Sequence, residues 1–305
     1  MNYQIKKINF IHSFIFFLFC NIFSLITFVK INFAISPLIC FLLILSIGVS
    51  HGSLDNMKGK KLFEIFKINN FFIFYLSYIS LAILIIIFWI ILPSVSLAVF
   101  LIVASYHFGK EDTDFIFYKN NLKNDLLYFF KGSLVITAPL IFHKNQTIEI
   151  FKSLNFNISD FFIIESEFLY LLLIASFLSS IYLTFKKELD LKSILIMDWF
   201  SILILNFFLN PILAFTIYFC FLHSIRHSLS LILDLDNNIF RGLKSFIKKA
   251  IPLTLITAIM YLISLYYINN YYELDEAVYK VIFIGLASLT FPHILLEYLI
   301  EKYER

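Results

Sequence analysis

The sequence reads as an all-α polytopic membrane protein: a bundle of about ten transmembrane helices, forming one integral membrane domain over 1–305. The first observation behind this is composition. Of 305 residues, 60% are hydrophobic and only 15% charged, and phenylalanine alone occurs 39 times. A water-soluble domain of this length has too little interior to hide so much apolar surface. The second is run length. A hydrocarbon core takes about 20 apolar residues per helix. Stretches near that length recur at 8–29, 31–51, 70–92, 94–109, 126–143, 167–185, 193–209, 211–233, 250–268 and 279–299.

The third is the placement of cations, because cytoplasmic loops are enriched in Lys and Arg. Ten spans put Lys6, Lys7, the lysines of 58–67, 110–123 and 186–192, the basic residues of 241–249, and Lys302 with Arg305 on one side. The other side receives Lys30, Lys144, Lys152 and Lys280. Lys131 and Arg226 fall within spans. The expectation is a protein integral to the cell (inner) membrane with cytoplasmic N- and C-termini. A net charge of +3 gives no reason to expect a nucleic-acid partner.

Taken in order, span one follows Lys6 and Lys7, is long for a signal-peptide core and has no small-x-small cleavage site nearby, so it reads as uncleaved. Pro93 separates spans three and four, and Asn210-Pro211 separates seven and eight, since proline stops one helix and can open the next. Residues 148–166 suit a segment lying at the interface. Asp198, in "MDWF" at the start of span seven, reads as an interfacial residue. Cys20, Cys40 and Cys220 sit in apolar runs without CxxC spacing, which suits buried small side chains and no disulfide.

The chemistry lies in the histidines. Spans two, four, eight and ten run in the same direction, and five of the seven histidines fall in their second halves: His51, His107, His223, His227 and His293. His12 and His143 stand apart and suit hydrogen-bonded structural roles. Ionisable groups at membrane depth are costly and tend to mark function. His223 and His227 are spaced i, i+4, so both imidazoles leave one helix face, the spacing one metal ion can bridge. With His51 and His107 at the same depth, a four-histidine metal site is the expectation. Imidazole suits Zn, Cu, Fe and Ni, and Fe(II) so held would keep positions open for dioxygen.

A ligating histidine usually gives its other N–H to a carboxylate or carbonyl. Asp55, four residues after His51, and Asp112, five after His107, are candidates for that support, or else solvated loop residues. Arg226 keeps its proton and does not ligate; its candidate partners are Glu297, Asp55 and Asp112, in an ion pair joining helices. Tyr106, Phe108, Phe219 and Phe221 would give the site an apolar wall, suited to a substrate drawn from the lipid bilayer.

Five motifs in order, "HGSLD" at 51–55, "YHFGKED" at 106–112, "PLIFH" at 139–143, "HSIRH" at 223–227 and "FPH" at 291–293, resemble the Brp/Blh (bacteriorhodopsin-related protein) family of membrane β-carotene dioxygenases. The resemblance implies an enzyme, a β-carotene 15,15′-dioxygenase that splits the central double bond of β-carotene with O2 into two molecules of retinal. It implies Fe(II) as cofactor, held by His51, His107, His223 and His227, with His293 and His143 at family positions of less defined role. It also implies that retinal passes to a rhodopsin-type protein. Lys110 stands where the pattern suggests an acidic residue, while Asp112 fits it. Three other readings remain: a His-box membrane oxygenase acting on another lipid, which needs more clustered histidines; a haem-binding membrane protein; and a proton-coupled transporter.

Overall fold

The computed structural model describes residues 3–28, 35–113, 122–157, 165–185 and 192–303; the side chains of Tyr3, Gln4, Phe28, His51 and Lys192 lie outside that description. Described residues form helices and turns, with no strand among them. In chain order the helices are α1 (Tyr3–Phe28), α2 (Pro37–Leu43), α3 (Asp55–Ile65), α4 (Phe72–Ile91), α5 (Pro93–Glu111), α6 (Leu122–Phe142) and α7 (Lys144–Ser153). They continue with α8 (Ser166–Phe185), α9 (Lys192–Phe208), α10 (Pro211–Ile217), α11 (Ile225–Leu235), α12 (Ile239–Ile268) and α13 (Leu274–Tyr303).

Among the described residues, eight helical stretches are long and apolar enough to cross a membrane: 5–27, 37–65, 72–91, 122–142, 166–185, 211–235, 239–268 and 274–303. The other two expected spans are the helices α5 and α9. Apolar side chains face outward: Leu76, Ile83 and Ile90 on α4, and Leu255, Ile259 and Met260 on α12, are exposed. Polar groups gather inside, where Asp198, Thr216, His223 and Arg226 are almost wholly buried. Only lipid makes that distribution favourable, so this is a membrane protein.

The prolines act as the sequence suggests. Pro211 opens α10 behind Asn210, whose side chain accepts from Leu213 N at 2.9 Å, and Pro93 opens α5. Part of the expected interfacial stretch folds as α7, which packs on α6 and α13; residues 158–164 lie outside the described residues. Lys280 of α13 holds the end of α7 through the Ser153 carbonyl, and reaches Asn155 Oδ1 at 3.2 Å.

Two spans leave α geometry, each beside a histidine. Ile44–Gly48 and Tyr218–Ser224 are π-helical, and Val49–Leu54, which carries His51, is a 3-10 turn. A π turn inserts a residue and disturbs the main-chain ladder, and such turns are frequent at functional sites. In an apolar surround the displaced carbonyls need donors. Ser224 Oγ donates to the Gly48 carbonyl at 3.1 Å, and His12 Nε2 donates to the Phe221 carbonyl at 2.8 Å. The Phe219 ring lies so close that a Cβ on Gly48 would sit 2.5 Å from its Cε1. The two irregular segments therefore lock together.

A second close approach sets the depth of His107. A Cβ on Gly109 would meet the Tyr128 carbonyl oxygen, and one on Gly132 the Ser105 carbonyl oxygen. Small residues let helix backbones touch in this way, and α5 is thereby pressed against α6 two residues from His107.

Candidate metal centre

Three spans deliver four histidines to one region. His107 comes from the end of α5, His223 from the π turn before α11, His227 from the first turns of α11, and His293 from α13. The His107 ring centroid lies 5.3 Å from that of His223 and 5.3 Å from that of His293, and His227 lies 5.9 Å from His293. His107, His223 and His293 are buried, and His227 is half-buried.

Carboxylates stand behind three of these rings. His223 Nδ1 is 3.0 Å from Asp112 Oδ1, His227 Nδ1 is 2.6 Å from Glu111 Oε2, and His293 Nδ1 is 2.9 Å from both Asp55 oxygens. An ionised carboxylate only accepts, so beside Asp112 and Asp55 the Nδ1 of His223 and of His293 donates and Nε2 is left as the ligand atom. The carboxylates are themselves held. Tyr218 and Tyr78 each donate a hydroxyl at 2.8 Å, to Asp112 Oδ2 and Asp55 Oδ2, and Lys131 Nζ lies 3.9 Å from Asp112 Oδ2. Fixed tautomers backed by carboxylates are what a ligating imidazole requires.

Glu297 completes the cluster. Its Oε1 lies 3.5 Å from His293 Nε2 and 2.6 Å from Lys58 Nζ. Ligand atoms of His107, His293 and Glu297 lie within 4.8 Å of one another, as do those of Glu111, His227 and Glu297. The donor set, imidazole nitrogen with carboxylate oxygen in a buried pocket, fits a ferrous ion.

Sequence neighbours proved a poor guide to partners. Asp55 pairs with His293, and Asp112 with His223, each across helices. The segment 51–54 is a 3-10 turn, and Asp55, opening α3, is turned towards α13. Arg226 stands apart from the metal cluster. Its guanidinium grips Asp198 at 2.7 and 3.0 Å, donates to Ser13 Oγ at 2.6 Å and to the Asp112 main-chain carbonyl at 3.1 Å. Asp198 is thus a buried anchor between helices. The main chain of His51 lies between Gly48, which binds Ser224, and Asp55, which binds His293; its side chain is outside the described residues.

Glu111 and Glu297 were the carboxylates sequence reasoning undervalued. Each lies four residues after a histidine, His107 and His293, on one helix face. Of the expected aromatic wall, Phe108 and Phe219 meet His223, with centroids 4.9 and 5.7 Å away, whereas Tyr106 turns its hydroxyl to Asp125. His143 follows α6, eleven residues beyond Gly132, about 16 Å along the helix axis.

An apolar cavity of about 250 Å³ leads away from His293 and Asp55 between α4, α12 and α13. Phe219, Tyr78, Leu286 and Thr257 line it, together with Ile79 and Ile256, both exposed on the apolar outer surface.

A profile of the family described as β-carotene 15,15′-dioxygenase matches residues 42–301, a stretch that contains every histidine of the cluster and all five motifs. The chain belongs to the β-carotene 15,15′-dioxygenase family. A curated member, the β-carotene 15,15′-dioxygenase of uncultured marine bacterium 66A03, is 28% identical over 259 residues, covering 83% of this chain and 90% of that protein. No solved structure matches. The dioxygenase family expected from the five motifs is the one found, and the chain is an enzyme of that family.

Proposed function

We propose that the protein cleaves the central double bond of β-carotene with O2, one substrate and one O2 giving two retinal, at a non-haem Fe(II) centre in the cell (inner) membrane. The observation that carries this is a carboxylate-backed histidine cluster at the inner end of an apolar cavity that opens towards lipid. His107, His223 and His227, with His51 on the neighbouring turn, would hold the iron, and His293 faces the same point. Bound there, iron supplies the redox chemistry with dioxygen that no side chain can provide.

The chain's own residues do the rest. Asp112 and Asp55 fix two imidazole tautomers, Glu111 lies 2.6 Å from His227 Nδ1, and Tyr218 and Tyr78 hold Asp112 and Asp55. The cavity admits an apolar polyene from the bilayer and keeps water from the reacting bond. The rings argue against haem. Neighbouring imidazoles crowd one region, with centroids 5.3, 5.3 and 5.9 Å apart, which leaves no room for a macrocycle between them. Both termini lie in the cytoplasm, on the side of the Lys-rich loops, and the product passes to a rhodopsin-type acceptor within the membrane.

The test is expression in bacteria that accumulate β-carotene, with retinal extraction and iron analysis of the purified protein. The wild type should yield retinal and one iron per chain. His223→Ala and His227→Ala should insert normally, yield none and lose iron. An iron-loaded, well-inserted wild type that gives no retinal from β-carotene would refute the proposal.

A further inference from the structure

The histidine cluster has a second face. Besides the apolar cavity there is a vestibule of about 490 Å³ with charged groups in its lining, bounded by α3, α11 and α13. Its rim carries Lys61 and Asp234, both exposed, and Glu301; its floor is Glu111, His227 and Glu297. Acidic side chains outnumber basic ones in the lining, with Glu111, Asp234, Glu297 and Glu301 against Lys58 and Lys61. The floor groups converge with ligand atoms within 4.8 Å of one another. A cation already stands there: Lys58 Nζ sits 2.6 Å from Glu297 Oε1, on a stem that can swing away.

We propose that this vestibule is the aqueous port through which a divalent cation reaches the centre, and that Glu111, His227 and Glu297 are its first binding site. This rests on the iron reading above. Asp234 at the rim and the two floor carboxylates raise the local concentration of cations, while Glu301 is paired with Lys110 at 2.6 Å. An incoming ion takes the place of the Lys58 ammonium on Glu297 and gains the His227 nitrogen. From there His293 and His107 are adjacent, because Glu297 belongs to both ligand groups. The metal and the carotenoid therefore approach through different cavities, one through water and one through lipid.

The experiment follows uptake of ferrous ion alone by detergent-solubilised protein stripped of metal, and separately retinal formation by protein loaded to saturation. Asp234→Lys, at the exposed rim, should slow uptake about tenfold at low ionic strength, with the difference shrinking in high salt. Ser230→Cys gives a site in the vestibule wall for a bulky cationic thiol reagent, and Cys20, Cys40 and Cys220 are buried. Labelling before loading should block uptake; labelling after loading should leave retinal formation unchanged. Uptake at the wild-type rate in Asp234→Lys at low salt, or in the labelled apoprotein, overturns the proposal. So does loss of turnover on labelling the loaded enzyme. A wild type that binds no ferrous ion at all refutes the iron reading itself.

Discussion

Arg226→Met should unfold the bundle's centre from a site that touches no substrate. The guanidinium and Asp198 are each 1% exposed, and their two bonds, 2.7 and 3.0 Å, form a parallel fork. Removing one member strands the other as a buried charge, which costs about 3–5 kcal/mol. Ser13 Oγ and the Asp112 carbonyl lose their donor as well. Arg226→Lys keeps the charge but not the fork, and should cost about 1–3 kcal/mol. Arg226→Met with Asp198→Leu removes both charges, and should recover most of the stability lost in the single variant. The assay is the fraction of detergent-extracted protein that stays monodisperse after a series of heating steps, read with iron content. Wild-type heat resistance in Arg226→Met, or a double variant no better than the single, would show that this pair does not join α1, α9 and α11 as argued.

Four further outcomes follow. Asp112→Asn leaves His223 Nδ1 without its charged acceptor and should weaken ferrous ion binding about 10- to 100-fold in chelator competition. Gly132→Ala puts a methyl group against the Ser105 carbonyl, a backbone atom that cannot rotate away; it should cost about 1–3 kcal/mol and lower retinal yield, while Ser133→Ala beside it should be mild. Thr257→Trp fills the apolar cavity and should suppress retinal formation with iron content unchanged. His143→Ala, at the far end of α6, should keep its iron; loss of bound metal there would mean that the centre is elsewhere.

Most spans were legible because lipid imposes a simple rule of length and apolarity: among the described residues, eight of the ten expected are helices that meet it, and α5 and α9 stand at the other two. Convergence of His107, His223, His227 and His293 was foreshadowed by the common direction of their spans. Pairings were not legible. Asp55 and Asp112 choose partners across helices, and nothing local encodes which helix will lie opposite. The π turns at Ile44–Gly48 and Tyr218–Ser224 were equally hidden, since the contact of Gly48 with Phe219 that joins them lies between residues far apart in the chain. Glu111 and Glu297 could have been found by asking which carboxylates share a helix face with a histidine.

The position of the centre follows from two incompatible solvents. A polyene partitions into hydrocarbon, whereas a ferrous ion and the carboxylates that orient its ligands are stable only near water or in a fully paired network. Deep in the bilayer, Asp55, Glu111, Asp112 and Glu297 with Lys58 and Lys131 would be costly; at the surface the polyene would have no dry slot. In the structure His293 lines the apolar cavity and His227 the charged vestibule, with their rings 5.9 Å apart. The side chains divide accordingly: Asp55 and Tyr78 border the apolar side, Glu111 and Lys58 the polar side, and His293 and Glu297, four residues apart on α13, stand at the seam. Because α13 carries both, a shift of that helix would disturb metal retention and polyene placement together, whereas changes confined to either cavity would separate them.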